Sequence, residues 1–189
     1  MEEQVSNSYN ESINIFQDIF SCENVTSWDI DEVISTIFVI LTSESAAFLD
    51  KEINKNPNNY GGDVKQFVEM GKGFSSVDYI NAQRARNVIT QKVDKLFDSY
   101  DFLLSPAQLI VAPSPDNETI KINGEELPRD INLIKPLVLS SLCGYPSSSI
   151  PINKNCCFFG FFFQRFNYSR FYIFFNFIKS INCSSIPDI

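Results

Sequence analysis

The composition of this chain changes abruptly near Ile152, and that break decides how much of it can share one core. Residues 1–152 carry 11 Lys and Arg against 22 Asp and Glu, whereas residues 153–189 carry 4 against 1. Ten of the 18 phenylalanines fall between Phe158 and Phe177. The sequence therefore predicts one folding unit over 1–152, long enough for a sizeable core, and an atypical Phe-rich tail over 153–189 outside it. The overall charge of −8 excludes surfaces that neutralise phosphate, so neither nucleic acid nor an anionic membrane is expected as a partner. The opening Met-Glu-Glu-Gln has neither the basic nor the apolar region of a signal peptide, and the five cysteines are odd in number with no C-x-x-C spacing. Both features point to a reducing, cytoplasmic setting.

Apolar spacing predicts a helix from Glu11 to Phe20, carried by Ile13, Phe16, Ile19 and Phe20, then a strand end at Ser27–Ile30. Asp29 or Asp31 can cap the next helix, Glu32 to about Ile53, whose apolar residues wrap most of its circumference and predict a largely buried element. A short helix over Asp63–Met70 follows, with Gly71 and Gly73 as stops. Ser75-Ser76-Val77-Asp78 has the form of a capping box. It opens a helix to about Ser99 with Ala82, Ala85, Ile89, Val93 and Leu96 as its inner stripe. Asp101–Pro106 reads as a short buried strand closed by proline, and Thr119–Ile122 meets Asn123-Gly124, a hairpin-turn dipeptide. A helix over Ile131–Leu142, stopped by Gly144-Tyr145-Pro146, precedes a strand at Ser147–Ile152. Helices alternating with short apolar strands define an α/β layered class.

The chemistry available is narrow. There is no histidine, which removes Ser-His-Asp and Cys-His catalysis and histidine-ligated metal sites. Gly71-Lys72-Gly73 runs into Phe74-Ser75-Ser76, so neither phosphate-binding glycine motif is present. No cofactor and no metal is expected, and Cys156-Cys157 read as small apolar fillers.

A series of local patterns does stand out in order. It comprises Glu44-Ser45-Ala46-Ala47, Tyr60-Gly61-Gly62-Asp63-Val64, and Tyr79 with Ala82-Gln83-Arg84-Ala85-Arg86. It continues with Tyr100-Asp101-Phe102-Leu103-Leu104-Ser105-Pro106, Ala112-Pro113 and Gly144-Tyr145-Pro146-Ser147-Ser148-Ser149-Ile150-Pro151. This series resembles the C-terminal half of the amidase-signature family, over about residues 12–152. The resemblance implies a partial, incomplete version of that fold, with helices packed on a short-stranded mixed sheet. It also implies a family reaction, hydrolysis of a carboxamide C–N bond by a Ser–cis-Ser–Lys set in which lysine moves the proton through the second serine.

Those catalytic residues belong to a Gly/Ser-rich stretch of the family that has no counterpart here, so no catalytic, cofactor-binding or metal site residue is assigned. Ser75-Ser76 reads as a helix start, Ser140-Ser141 as helix and Ser147-Ser148-Ser149 as strand. Arg84 and Arg86 read as ion-pair partners of nearby carboxylates. Gln66 and Phe67 stand where the amidotransferase branch carries basic residues, which makes a general amidase the better relative. Past Ile152 the family continues with a Gly-Leu-Pro-x-Gly-Leu-Gln-like strand, of which only Gly160 and Gln164 remain.

The leading expectation is thus a fragment of an amidase-like hydrolase, inactive alone, that meets a small amide substrate only when joined to the missing half and otherwise tends to self-associate. The competing expectations are a non-catalytic interaction protein and a peripheral membrane protein anchored by its tail. Phe158–Ile178 is apolar, but Arg165 and Arg170 interrupt it, which argues against a spanning helix and leaves an interfacial one with snorkelling arginines. An aberrant C-terminus, from shifted-frame or intron-derived sequence, accounts for the same composition, and in that case the tail is dispensable for the fold.

Overall fold

A computed structural model describes residues 1–18, 20–25, 28–151 and 158–163. Helix α1 runs from Glu3 to Gln17, eight residues earlier than the apolar spacing predicts. Its buried stripe is Val5, Ser8, Ser12 and Phe16. Two small polar residues therefore do the packing that the sequence assigns to isoleucine, and Ser12 Oγ returns a hydrogen bond to the Ser8 carbonyl at 2.9 Å. Ile19 lies outside the described residues.

Helix α2 spans Ile30–Lys55. The Asp29 carboxylate accepts from the backbone N–H of Asp31 at 2.9 Å and of Glu32 at 3.5 Å, satisfying two first-turn donors. This cap starts the helix at Ile30, where a strand end is expected from sequence. The second expectation for this helix also fails. Val33, Ile34, Ile40 and Ala46 are buried, yet Phe48 is 83% exposed and Leu41 48% exposed, so only one side of α2 is covered.

Helix α3, Gly62–Lys72, crosses α2 closely enough that Gly71 is a packing residue inside the helix and not its stop. A Cβ on Gly71 would lie 2.0 Å from the Thr42 carbonyl oxygen. Phe38 of α2 meets Phe67 and Phe74 edge-on at 5.8 and 6.5 Å between ring centroids.

Helix α4, Ser76–Leu96, has the expected capping box: the Ser75 hydroxyl accepts from the Asp78 N–H, and the Asp78 carboxylate accepts from the Ser75 N–H at 2.9 Å. Its inner stripe is Ala82, Ile89, Val93 and Phe97. These meet Val33, Ile34 and Ile40 of α2 and Val138, Leu139 and Leu142 in a single core.

The helix expected over Ile131–Leu142 is divided. Helix α5 covers Arg129–Ile134 and α6 covers Val138–Cys143. Pro136 lies between them, because proline has no N–H to continue the ladder and its ring collides with the preceding turn. The Leu137 N–H instead donates to the Ile134 carbonyl at 2.9 Å.

Strand β1, Phe102–Pro106, and strand β4, Ser147–Pro151, both pair antiparallel with β5, Phe158–Phe163, giving the order β1-β5-β4. The sheet of the first 152 residues is thus joined by six residues from beyond the compositional break, and Gly160 sits opposite Ser105 on one side and Ser149 on the other. Those six residues are strand and not the beginning of an apolar helix; residues 164–178 of that expected helix lie outside the described residues. A separate hairpin, β2 Thr119–Ile122 with β3 Glu125–Pro128, turns through Asn123 and Gly124 at φ 53° and 87°, as its dipeptide requires.

Candidate functional site

Three of the sequence patterns that carried the resemblance, those of Glu44, of Tyr79 to Arg86 and of Gly144-Tyr145, meet where α2, α4 and α6 pack together. Tyr79 on α4 donates its hydroxyl to Glu44 Oε1 on α2 at 2.8 Å and accepts from Gln83 Nε2 at 2.9 Å. The hydrogen bond to Glu44 holds the Tyr79 phenol above its ordinary pKa, since ionising it would set two negative charges together. One turn further along α4, Arg86 Nε donates to the Leu142 carbonyl at 2.6 Å. The expected carboxylate partner is replaced by an unsatisfied carbonyl at the end of α6, a placement that also suits the helix dipole. Gly144, left-handed at φ 74°, then turns the chain so that Tyr145 packs on Phe97 at 5.1 Å and donates its hydroxyl to Asp94. Burial pushes the adjacent Cys143 thiol up, away from the thiolate form a nucleophile needs.

The serines weighed from sequence are held in structural roles. Ser75 is the cap of α4, Ser140 and Ser141 return hydrogen bonds to the Leu137 carbonyl at 3.0 and 3.4 Å, and Ser147–Ser149 lie in β4. Lys72 is held by Glu69 Oε1 at 2.8 Å and Asp50 Oδ1 at 2.9 Å, and these hydrogen bonds raise its pKa. A lysine acting as base needs the opposite shift. Among the described residues, no group of three His, Cys, Asp or Glu is placed to hold a metal ion.

Sequence reading does not reveal a hollow of about 890 Å³ between α1, β1 and the start of α6. Phe16, Phe20, Trp28, Tyr100 and Phe102 supply aromatic walls, with Phe20 meeting Phe102 edge-on at 5.6 Å. Helix α2 is long and apolar enough to cross a membrane by length and composition, but in this fold it supplies Val33, Ile34 and Ile40 to the core.

This arrangement of three packed helices beside a short-stranded sheet is that of amidase-signature enzymes. The amidase family model matches residues 10–156, and the chain belongs to that family. A glutamyl-tRNA(Gln) amidotransferase component from Aliarcobacter butzleri is 26% identical over 152 residues, covering 67% of this chain and 32% of that protein. A fatty acid amide hydrolase from Medicago truncatula is 23% identical, covering 79% of this chain and 25% of that protein. A crystal structure of an amidase matches the fold with a TM-score of 0.72 at 18% identity, covering 84% of this chain and 37% of that one. The chain thus spans about a third or less of the curated relatives it matches.

Proposed function

We propose that this chain is the C-terminal, scaffolding portion of an amidase-signature hydrolase and does not hydrolyse amides by itself. The observation that carries this reading is the set of roles its serines and Lys72 already fill. Each candidate nucleophile caps a helix, bonds back to a carbonyl or lies in a strand, and Lys72 is ion-paired with two carboxylates at the surface. Scaffolding here means that the Glu44–Tyr79–Gln83 and Arg86–Leu142 contacts fix α2, α4 and α6 relative to one another. Hydrolysis of a small carboxamide, in a cytoplasmic setting, then requires the nucleophile and proton relay from the family's Gly/Ser-rich portion.

The test is labelling with a fluorophosphonate that acylates activated serines, alongside an assay on simple aliphatic and aromatic amides. No labelling and no turnover are expected from this chain alone. Labelling of one serine, abolished by mutating that serine, would overturn the reading.

A further inference from the structure

Among the asparagines of this sequence only Asn123 is followed by glycine. The backbone nitrogen after an asparagine can attack the side-chain amide carbon and close a cyclic imide. A Cβ on the attacking residue crowds that ring, and glycine has none. The space is open as well, because nothing lies within 4 Å of where a Cβ on Gly124 would stand. The pair forms the tip of the β2–β3 hairpin, where Lys121, Asn123, Gly124, Glu125 and Glu126 are all exposed to water. Asn123 is also the one non-glycine residue at positive φ among the described residues, at 53°, so rotation towards the ring relieves a left-handed backbone. The Met1 nitrogen donates to Asn123 Oδ1 at 3.3 Å, the oxygen that gains negative charge as the amide carbon is attacked.

We infer that Asn123 is a site of spontaneous covalent modification, at which the chain rearranges to isoaspartate through a cyclic imide with water as its co-reactant. The Gly124 nitrogen gives its proton to solvent and bonds to Asn123 Cγ. The Cγ–Nδ2 bond then breaks, and the amide nitrogen takes a proton from solvent and leaves as ammonia. Water opens the ring at one of its two carbonyls. Opening at Cγ gives aspartate and restores the original backbone; opening at the Asn123 backbone carbonyl gives isoaspartate, whose chain runs through Cβ and Cγ. Nothing is oxidised or reduced. Asn7 supplies the contrast: it precedes another small residue, Ser8, but both lie inside α1, where the helical ladder fixes the backbone and Ser8 is buried.

The consequence falls on the smaller core. Isoaspartate adds one backbone carbon to a two-residue turn, and turn length sets the register of a hairpin. The present register pairs Ile122 with Glu125 and Ile120 with Leu127, which places Ile120 and Ile122 in a buried cluster with Ile110. With the longer turn either the Ile122–Glu125 end opens or β2 slips, and a slip of one residue turns Lys121 inward in place of the isoleucines.

The experiment ages the chain at mildly alkaline pH, folded and in urea, and digests samples with trypsin over time. Cleavage after Lys121 and Arg129 releases residues 122–129, whose aspartate and isoaspartate forms are separated by chromatography and identified by mass. Asn123 in the folded chain is expected to convert at least tenfold faster than Asn7 and within tenfold of its own rate in urea. Isoaspartate should be the main product and should speed hydrogen exchange in β2 and β3 several-fold. Asn123→Gly keeps a dipeptide suited to a two-residue hairpin and should show neither change after the same ageing.

A rate at Asn123 no greater than that at Asn7, or one slowed a hundredfold relative to urea, would show that the hairpin protects the amide and would overturn the inference. Unchanged exchange in chains that carry isoaspartate would overturn it too, as would an equal loss of protection in aged Asn123→Gly.

Discussion

Gly71→Ala is expected to destabilise the fold although it improves helix propensity. The added Cβ would sit 2.0 Å from the Thr42 carbonyl oxygen, 2.4 Å from its carbon and 3.0 Å from the Ser43 nitrogen. These are backbone atoms inside α2 and cannot rotate away, so α3 must withdraw by about 1.5 Å for the carbon to reach ordinary contact with the oxygen. That withdrawal loosens Val68, 2% exposed, and the edge contacts of Phe38 with Phe67 and Phe74. Forcing extra volume into a packed contact costs about 1–3 kcal/mol, and weakening two aromatic contacts adds about 1 kcal/mol. Replacing glycine within a helix returns about 1 kcal/mol, leaving a net loss of about 1–3 kcal/mol. Urea unfolding followed by far-ultraviolet circular dichroism would read this as a lower midpoint with an unchanged slope. Gly62→Ala is the control, because nothing lies within 4 Å of its Cβ position. If Gly71→Ala matches Gly62→Ala or stabilises the chain, the close crossing of α2 and α3 is wrong.

Tyr79→Phe should cost about 0.5–1.5 kcal/mol. A double-mutant cycle with Glu44→Gln should show coupling between the two, and strictly additive losses would deny the hydrogen bond. Hydrogen bonds from the Ser75 hydroxyl and backbone N–H hold Asp78 below the ordinary carboxylate range, so its stabilising contribution is complete above the unfolded-state pKa and is lost as pH falls through the folded-state one. The unfolding midpoint should therefore drop on acidification by less in Asp78→Asn than in the parent chain, and identical profiles would refute the cap's role. Ending the chain at Ile152 removes β5, the strand to which β1 and β4 both pair; melting should lose cooperativity or fall by several degrees, whereas an unchanged transition would support a dispensable tail.

Local chemistry was the legible part of this fold. Ser75 with Asp78, Asp29, and Asn123 with Gly124 each act within four residues of themselves, so their caps and turn could be read directly. What the sequence concealed depends on partners far along the chain. Gly71 reads as a helix stop until the Thr42 carbonyl is seen beside it. Arg86 reads as half of an ion pair until α6 presents the Leu142 carbonyl. Helix α2 reads as largely buried, because a pattern can show which residues suit a core but not how much neighbouring protein is present to cover them. The family patterns were visible because they lie in order, while their convergence at Glu44, Tyr79, Gln83 and Arg86 required the helix crossings.

The middle strand of the sheet is the last of its three to be synthesised. Among the described residues β1 and β4 do not pair with each other, and the ladder each makes with β5 waits until β5 has left the ribosome and slipped between them. Closing the roughly 50 residues between β1 and β5 costs on the order of 3–4 kcal/mol of chain entropy before the pairing repays it. Helices α3 and α4 both pack on α2 and all three precede β1 in the chain, so they can assemble earlier. During that interval the edges of β1 and β4 that β5 will cover lack it, which sets a window for misassociation that closes at those edges once β5 is in place.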